Sequence, residues 1–258
     1  MDESSKGRLV FAPGARAQPR AARGAQGLVH LPTWSRLNVA ARQWAPAGNG
    51  GDFFEIIQQQ DGRVSAIMAD VSGNGPSAAG PVASLRWVMR QAIARGQSPG
   101  AVLQLLNDWL VEQQVDDRFV TAVCVRLNPV TGDTEIASAG HLGPFVKRAR
   151  GGAEDLPPAV GLALGIFPRQ TYREITLELR PEDALVLVTD GITDRLGTAS
   201  DPLGQRALLA RLTRAQLSPE SICGTLLGPS ARFAEDATVV VMQMPRRHRR
   251  ATPIARAG

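Results

Sequence analysis

The stretch RVSAIMADVSGNG, residues 63–75, joins an apolar segment to an acid and then to a glycine-rich turn. Residues 63–71 have the short, strongly apolar pattern of a buried β-strand, and 72–75 have the composition of a tight turn. A carboxylate at the end of a buried strand is costly to desolvate unless a cation offsets its charge. The segment therefore predicts a strand that delivers Asp70 to a cation site.

Three other segments repeat this arrangement of an acid beside a strand and a turn. Asp52 follows Gly50 and Gly51, Asp190 follows the apolar run 184–189, and Glu235-Asp236 precedes the last apolar segment. Any one of these acids could simply open a turn, where Asp is favoured. Hard divalent ions such as Mg²⁺ and Mn²⁺ need several acids from separate segments, so the four segments together favour a metal site.

The rest of the chain predicts one α+β domain over about 34–245. Alternating or continuous apolar runs predict strands, and apolar residues at helical spacing predict helices. The predicted strands are 37–44, 52–57, 63–71, 119–127, 134–139, 144–148, 171–179, 184–189 and 237–242. The predicted helices are 76–95, one that begins with Ser98 and Pro99, 204–212 and 219–227, and 151–158 is expected to be a loop. Two sheets covered by helices follow from this order.

The positive charge of the chain lies mainly at its ends. The chain carries a net charge of +5, yet five Arg and no acid occur in 246–258, and Lys and Arg also outnumber acids in 1–33. The intervening domain is therefore mildly acidic, which argues against a specific nucleic-acid face. We expect 1–33 to be a flexible basic leader and 246–258 a basic disordered tail.

No segment has the length and apolar character of a membrane anchor or a secretion signal. Cys124 and Cys223 show neither paired nor metal-like spacing and are expected to be buried thiols. A cytoplasmic location is expected from these features.

Two other metal sites are excluded by the residues present. Asp70, Ser72, Asn74 and Gly75 match the front of a calcium-binding EF-hand loop, but Pro81 stands where that loop needs Glu. The three histidines are scattered and no cysteine cluster accompanies them, which argues against zinc.

Six short motifs, in order, resemble the SpoIIE/RsbU-type branch of the bacterial PPM (protein phosphatase 2C-like) serine/threonine phosphatases. The match as a whole covers nearly all of 34–245. The motifs are Gly50-Gly51-Asp52-Phe53-Phe54, Asp70-Val71-Ser72-Gly73-Asn74-Gly75, Phe119-Val120-Thr121-Ala122, Ala139-Gly140-His141, Thr189-Asp190-Gly191 and Asp236-Ala237-Thr238.

This resemblance implies a protein phosphatase 2C-like αββα sandwich with a site for two Mn²⁺ or Mg²⁺ ions at one end. Asp70 would bridge both ions, the backbone carbonyl of Val71 would help hold one, and Asp190 would hold the other. The first acid of the last motif, either Glu235 or Asp236, would join Asp190, and Asp52 would support the site. A water bridging the ions would attack phosphorus directly.

The resemblance implies hydrolysis of phosphoserine or phosphothreonine on a signalling protein, such as a STAS-domain anti-anti-sigma factor or a related partner-switching protein. Control through a homodimer is one possibility. Three residues depart from the pattern: Glu235 and Glu55 stand where Asp is usual, and Ser72 stands where related eukaryotic-type enzymes have His. The Glu235 and Glu55 changes support an alternative, a catalytically weak phosphatase-like regulatory binding protein. His141 is expected to tie a turn rather than to carry protons.

Overall fold

The computed structural model describes residues 27–29, 37–44, 51–72, 79–113, 119–156, 161–197, 204–228, 233 and 235–246. Within these ranges the chain forms eleven strands and five helices. The strands are β1 (Gly27–Val29), β2 (Asn38–Trp44), β3 (Asp52–Gln58), β4 (Val64–Val71), β5 (Val120–Leu127), β6 (Asp133–Ala139), β7 (Phe145–Lys147), β8 (Ala153–Asp155), β9 (Glu174–Glu178), β10 (Ala184–Val188) and β11 (Ala237–Gln243). The helices are α1 (Ala79–Ala94), α2 (Pro99–Glu112), α3 (Asp190–Asp194), α4 (Gln205–Arg214) and α5 (Pro219–Leu227).

The strands form two antiparallel sheets. One has the order β1-β2-β11-β10-β7-β8, and the other has the order β3-β4-β5-β6-β9. Helices α1 and α2 cover the second sheet, whereas α4 and α5 cover the first. The predicted α+β class, with two antiparallel sheets flanked by helices, is confirmed.

Alternation along the strands separates the helix-facing side chains from those between the sheets. In β3, Phe53 packs towards α1 and α2, while Phe54 joins the layer between the sheets. In β4, Ile67 and Ala69 face the helices, and Met68 faces the other sheet. Because successive side chains point to opposite faces, Asp52 and Asp70 continue the layer between the sheets at its end.

Helix ends follow local sequence signals. Ser98 precedes α2 in an extended conformation and Pro99 occupies the first turn, where a missing N–H costs nothing. Ser218 precedes α5, and its hydroxyl accepts a hydrogen bond from the backbone N–H of Ser221. The predicted helical segments in the described ranges are therefore present.

Three features differ from the predicted elements. The predicted loop 151–158 contains the edge strand β8, whose Ala-Glu-Asp sequence has no apolar alternation to signal it. The expected turn at Asp190 is a short helix, α3, in which Ile192 is buried. Strand β1 pairs with β2 although it lies inside the predicted leader, so that leader contains one strand of the domain.

The rest of the predicted leader, together with 247–258 of the predicted tail, lies outside the described residues. Arg246, the first residue of that tail, forms an ion pair with Glu182. Cys124 and Cys223 are buried free thiols, as predicted. Among the described helices, none is long and apolar enough to cross a bilayer.

Candidate metal centre

Asp52 and Asp70 lie side by side at one end of the space between the sheets. They are directly opposite each other in the β3–β4 pair, and Thr121 of β5 is opposite Asp70. Further along the same strands, the layer between the sheets is filled by Phe54, Met68 and other apolar side chains. The acids therefore form a polar end to an apolar layer.

The Asp52 carboxylate is held by two threonine hydroxyls of the other sheet. Its Oδ2 accepts hydrogen bonds from Thr189 Oγ1 at 2.6 Å and from Thr238 Oγ1 at 2.8 Å. Burial raises the pKa of Asp52 to about 8, and the negative charge of Asp70 adds to the rise. The two hydroxyl donors act in the opposite sense, since they favour the charged form. Asp52 is thus a fixed acid in a strongly desolvated position.

Three further acids lie close enough to Asp70 to change its pKa. Asp190 begins α3, directly after β10, and Glu235 and Asp236 precede β11. Burial raises the pKa of Asp70 to about 6, and the charges of Asp190, Asp236 and Glu235 each add to the rise. Asp190 is exposed at the start of α3, Glu235 is exposed, and Asp236 is half-buried. The acids therefore repel one another electrostatically. A bound cation would relieve this repulsion.

Asp236 is the more enclosed of the two acids that precede β11. Burial raises its pKa, while backbone hydrogen bonds from Asp52 and Gly51 lower it. Glu235 and Asp190 also raise the pKa of Asp236 through their charges. Asp236 therefore joins the segment that carries Asp52 to the segment that precedes β11.

Gly51 suits the candidate metal centre, because a side chain at this position would occupy the space beside the proposed oxygen ligands. A Cβ on Gly51 would stand 2.6 Å from the carbonyl oxygen of Val71 and 2.8 Å from Asp70 Oδ1. The carbonyl and the carboxylate are hard oxygen donors of the kind that Mg²⁺ and Mn²⁺ prefer. The bare Cα of Gly51 therefore leaves the space next to both oxygens free of a side chain.

Gly191 allows a close approach between α3 and the segment that precedes β11. A Cβ on Gly191 would stand 2.0 Å from the carbonyl oxygen of Asp236, so only glycine allows α3 to approach the start of β11 this closely. That approach brings Asp190 and Asp236 to the same end of the sandwich. The donor set fits a divalent metal, although in the described ranges no three His, Cys, Asp or Glu side chains converge as the ligands of one ion do.

Comparison with known proteins identifies this architecture. The sequence model of the family described as stage II sporulation protein E (SpoIIE) matches residues 60–245. The chain belongs to the SpoIIE family. The predicted resemblance to the SpoIIE/RsbU-type branch is thereby confirmed.

Among its relatives is the phosphoserine phosphatase RsbU of Bacillus subtilis (strain 168). The two are 28% identical over 165 residues, which are 64% of this chain and 49% of the relative. This chain therefore spans about half the length of that curated relative.

Two solved structures share the fold. The PP2C phosphatase domain of SpoIIE from Bacillus subtilis, with a fragment of its regulatory domain, has a TM-score of 0.68 at 18% identity and covers 81% of this chain and 63% of that one. RsbX in complex with magnesium has a TM-score of 0.64 at 16% identity and covers 85% of this chain and 100% of that one. They establish a protein phosphatase 2C-like sandwich.

Glu55, one of the departures from the SpoIIE-family pattern, points away from the acids. It lies on the helix-facing side of β3, where both of its carboxylate oxygens accept hydrogen bonds from Arg90 of α1, at 2.9 and 2.8 Å. Arg86 of α1 lies 3.7 Å from the same carboxylate. Glu55 therefore ties α1 to the sheet and takes no part in the candidate metal centre.

His141 is buried beside Thr121, the residue that lies opposite Asp70. Its Nδ1 lies 2.8 Å from Thr121 Oγ1, and its backbone carbonyl accepts a hydrogen bond from Ser138. Burial lowers the pKa of His141 to about 4. The imidazole thus contacts β5 through Thr121, and its buried Nε2 has no hydrogen-bond partner among the described residues.

Thr189 and Thr238 are the functional residues that sequence reasoning missed. Thr238 falls in the predicted strand 237–242 and Thr189 in the motif Thr189-Asp190-Gly191, and neither pattern relates these side chains to Asp52. Their hydroxyls reach Asp52 across 137 and 186 residues of sequence. The signal available was that each stands within two residues of a predicted acid, Thr189 before Asp190 and Thr238 after Asp236.

Proposed function

We propose that this chain is a Mn²⁺- or Mg²⁺-dependent phosphatase that removes phosphate from phosphoserine or phosphothreonine of a signalling protein. The observation that supports it most is the grouping of acids from both sheets at the polar end of the sandwich, with the Val71 carbonyl left open by Gly51. The family and the name of its RsbU relative as a phosphoserine phosphatase point the same way.

Each acid has a proposed role in holding two ions. Asp70, whose carboxylate feels the charges of Asp190, Asp236 and Glu235, would bridge them, with the Val71 carbonyl beside it. Asp190 would hold the second ion together with Asp236, and Glu235 is the alternative to Asp236. Asp52 would support the site while Thr189 and Thr238 keep its carboxylate in place. When bound, divalent ions offset charge on phosphoryl oxygens and make hydroxide available near neutral pH.

The chain itself must keep these acids charged and oriented. The hydroxyl donors to Asp52 favour its anionic form, and the backbone N–H groups near Asp236 do the same for that residue. The phosphoryl group is proposed to pass directly to water, without a covalent enzyme intermediate.

The proposed substrate is a phosphorylated STAS-domain anti-anti-sigma factor or a related partner-switching protein in the cytoplasm. The support is the family resemblance and the relatives named RsbU and RsbP. We also propose that formation of a homodimer controls the activity of the enzyme.

Phosphate release tests the proposal. The substrates are p-nitrophenyl phosphate and a phosphoserine peptide, each with and without Mn²⁺. We expect Mn²⁺-dependent turnover by the wild type, and Asp70→Asn should reduce it to the level without metal. Asp61→Asn is the matched control, because Asp61 lies exposed in the turn between β3 and β4, at the opposite end of the same hairpin. Turnover without metal, or equal activity in both variants, contradicts the proposal.

Calorimetric titration with Mn²⁺ gives a readout that does not depend on turnover. Asp70→Asn and Asp190→Asn should weaken Mn²⁺ binding, and comparison of Glu235→Gln with Asp236→Asn identifies the acid that contributes. We expect the larger loss for Asp236→Asn, because Asp236 is the more enclosed of the two. A larger loss for Glu235→Gln assigns the role to Glu235 instead.

The second candidate is a phosphatase-like regulatory binding protein with weak turnover. It is favoured by Glu235 in place of Asp and by the absence, in the described part of the chain, of three side chains that already converge on one ion. Mn²⁺ binding without phosphate release from either substrate would support this candidate.

A further inference from the structure

Four exposed apolar side chains lie in two segments next to the proposed active site. In the described ranges six large apolar side chains are exposed, and these four are Phe119 (44%), Leu162 (50%), Ile166 (45%) and Phe167 (55%). We call these four the apolar rim. Contiguous exposed apolar groups on a folded domain often mark an interaction surface.

Backbone pairing places the apolar rim beside the acids. Phe119 and Ser72 exchange hydrogen bonds of 2.9 Å, the first from the Phe119 N–H to the Ser72 hydroxyl and the second from the Ser72 N–H to the Phe119 carbonyl. Ser72 is two residues beyond Asp70. One member of the rim is thus bonded directly to the segment that carries the central acid.

The other three members lie on a segment that pairs with the start of β5. Val120 and Leu164 exchange backbone hydrogen bonds of 3.0 and 2.8 Å, and Val120 is opposite Val71 on its other side. Leu164 therefore lies two strand spacings from Val71, which is about 10 Å. An extended chain covers that distance in about three residues.

Helix α2 fixes the shape of this segment. The buried Asn107 side chain accepts a hydrogen bond from the Gly165 N–H and donates one to the Phe167 carbonyl. Next to it, Asp108 accepts a hydrogen bond from the N–H of Arg169, which has a positive φ of 56°. Apolar side chains on a segment already ordered in this way can bind a partner at a reduced entropic cost.

We propose that the apolar rim binds apolar side chains located two to three residues from the phosphoserine in the protein substrate. The inference rests on the proposed function, because it takes the acids as the place where the phosphoryl group is held. The occupant is the substrate chain because Phe119 is bonded to Ser72, two residues from Asp70, and the segment that carries the other three members pairs with Val120, the neighbour of Val71. Phosphoproteins with apolar side chains at these positions are therefore preferred over those with polar ones.

Two phosphoserine peptides test the proposal, one with leucine at the second and third positions on each side of the phosphoserine and one with serine at those positions. Burial of one leucine corresponds to about tenfold in binding. We expect the wild type to favour the leucine peptide by at least about tenfold in kcat/KM, mainly through KM. The double variant Ile166→Ser/Phe167→Ser should lose this preference.

Val130→Ser is the matched control. The side chain of Val130 is exposed to a similar extent as those of Ile166 and Phe167, but it lies in the β5–β6 turn at the far end of the sandwich. It should keep the full preference. p-Nitrophenyl phosphate has no flanking residues that could contact the rim. We therefore expect the rim variant and the control to hydrolyse it equally well. Equal kcat/KM for the two peptides in the wild type, or a preference that survives in the rim variant, overturns the proposal.

Failure of the proposed function is recognised separately. It is shown by the absence of Mn²⁺-dependent p-nitrophenyl phosphate hydrolysis in the wild type. In that case fluorescence anisotropy with the same two peptides still tests the rim, because binding needs no turnover. About tenfold tighter binding of the leucine peptide, lost in Ile166→Ser/Phe167→Ser, supports the rim, and equal binding of the two peptides contradicts it.

Discussion

Replacing Thr189 or Thr238 by valine should destabilise the domain by unequal amounts. Each substitution keeps the shape of the side chain and removes a hydroxyl that donates to Asp52 Oδ2. A buried hydrogen bond contributes about 1 kcal/mol when neutral and up to about 3 kcal/mol when one partner is charged. Thr238→Val should therefore reduce the free energy of unfolding by about 1 to 3 kcal/mol.

Thr189→Val should cost more, because the Thr189 hydroxyl has a second partner. Its Oγ1 also accepts a hydrogen bond of 2.9 Å from the backbone N–H of Thr238, which is fully buried. Leaving that N–H without an acceptor adds about 1 to 3 kcal/mol. The expected total for Thr189→Val is about 2 to 5 kcal/mol.

Urea unfolding at pH 9 and pH 6 measures both effects. The hydroxyls favour charged Asp52, whose pKa is about 8, so each substitution should cost more at pH 9 than at pH 6. Thr213→Val, which removes an exposed hydroxyl from α4, is the control and should change the free energy of unfolding by less than about 0.5 kcal/mol. An equal or smaller cost for Thr189→Val than for Thr238→Val refutes this reasoning.

Three further predictions concern the surroundings of the site. Glu55→Gln should reduce the free energy of unfolding by about 1 to 2 kcal/mol in urea titrations, because it weakens the charged bonds to Arg90, and it should leave Mn²⁺ affinity unchanged. The folded-state pKa of His141, about 4, is below its ordinary 6.5, so its contribution to stability is present above pH 6.5 and is lost as pH falls towards 4, by about 3 kcal/mol. His141→Gln should remove that part of the acid sensitivity in urea unfolding, and parallel pH profiles for the two proteins contradict this. Gly51→Ala should weaken Mn²⁺ binding in calorimetry while circular dichroism stays native, because the new Cβ meets the Val71 carbonyl oxygen.

Strands that end on acids could be predicted because two independent signals agree there. In β4 and β10 an apolar run too short for a helix is followed by an acid and a turn residue, and both strands formed where expected. The grouping of Asp70 with other acids was predicted because an isolated buried carboxylate is costly, although Asp190 itself proves to be exposed. Pattern and chemistry together therefore indicated the end of the sandwich that holds the acids.

The features that could not be predicted depend on contacts between distant parts of the chain. The threonines that hold Asp52 belong to the opposite sheet, and a threonine in a strand pattern carries no mark of its partner. Strand β8 is only three residues long and exists because β7 offers an edge to pair with. Glu55 looked like part of an acidic motif, yet the alternation of β3 turns it to the helix side, where Arg90 binds it.

A crystal structure grown with MnCl₂, with data collected at the manganese absorption edge, tests the central claim most directly. We expect two anomalous peaks at the polar end of the sandwich, one or both in contact with Asp70 and one in contact with Asp190. The Val71 carbonyl and an acid from Glu235-Asp236 should complete the contacts. Crystals that contain Mn²⁺ but show no anomalous peak within ligand distance of Asp70 or Asp190 would contradict the account.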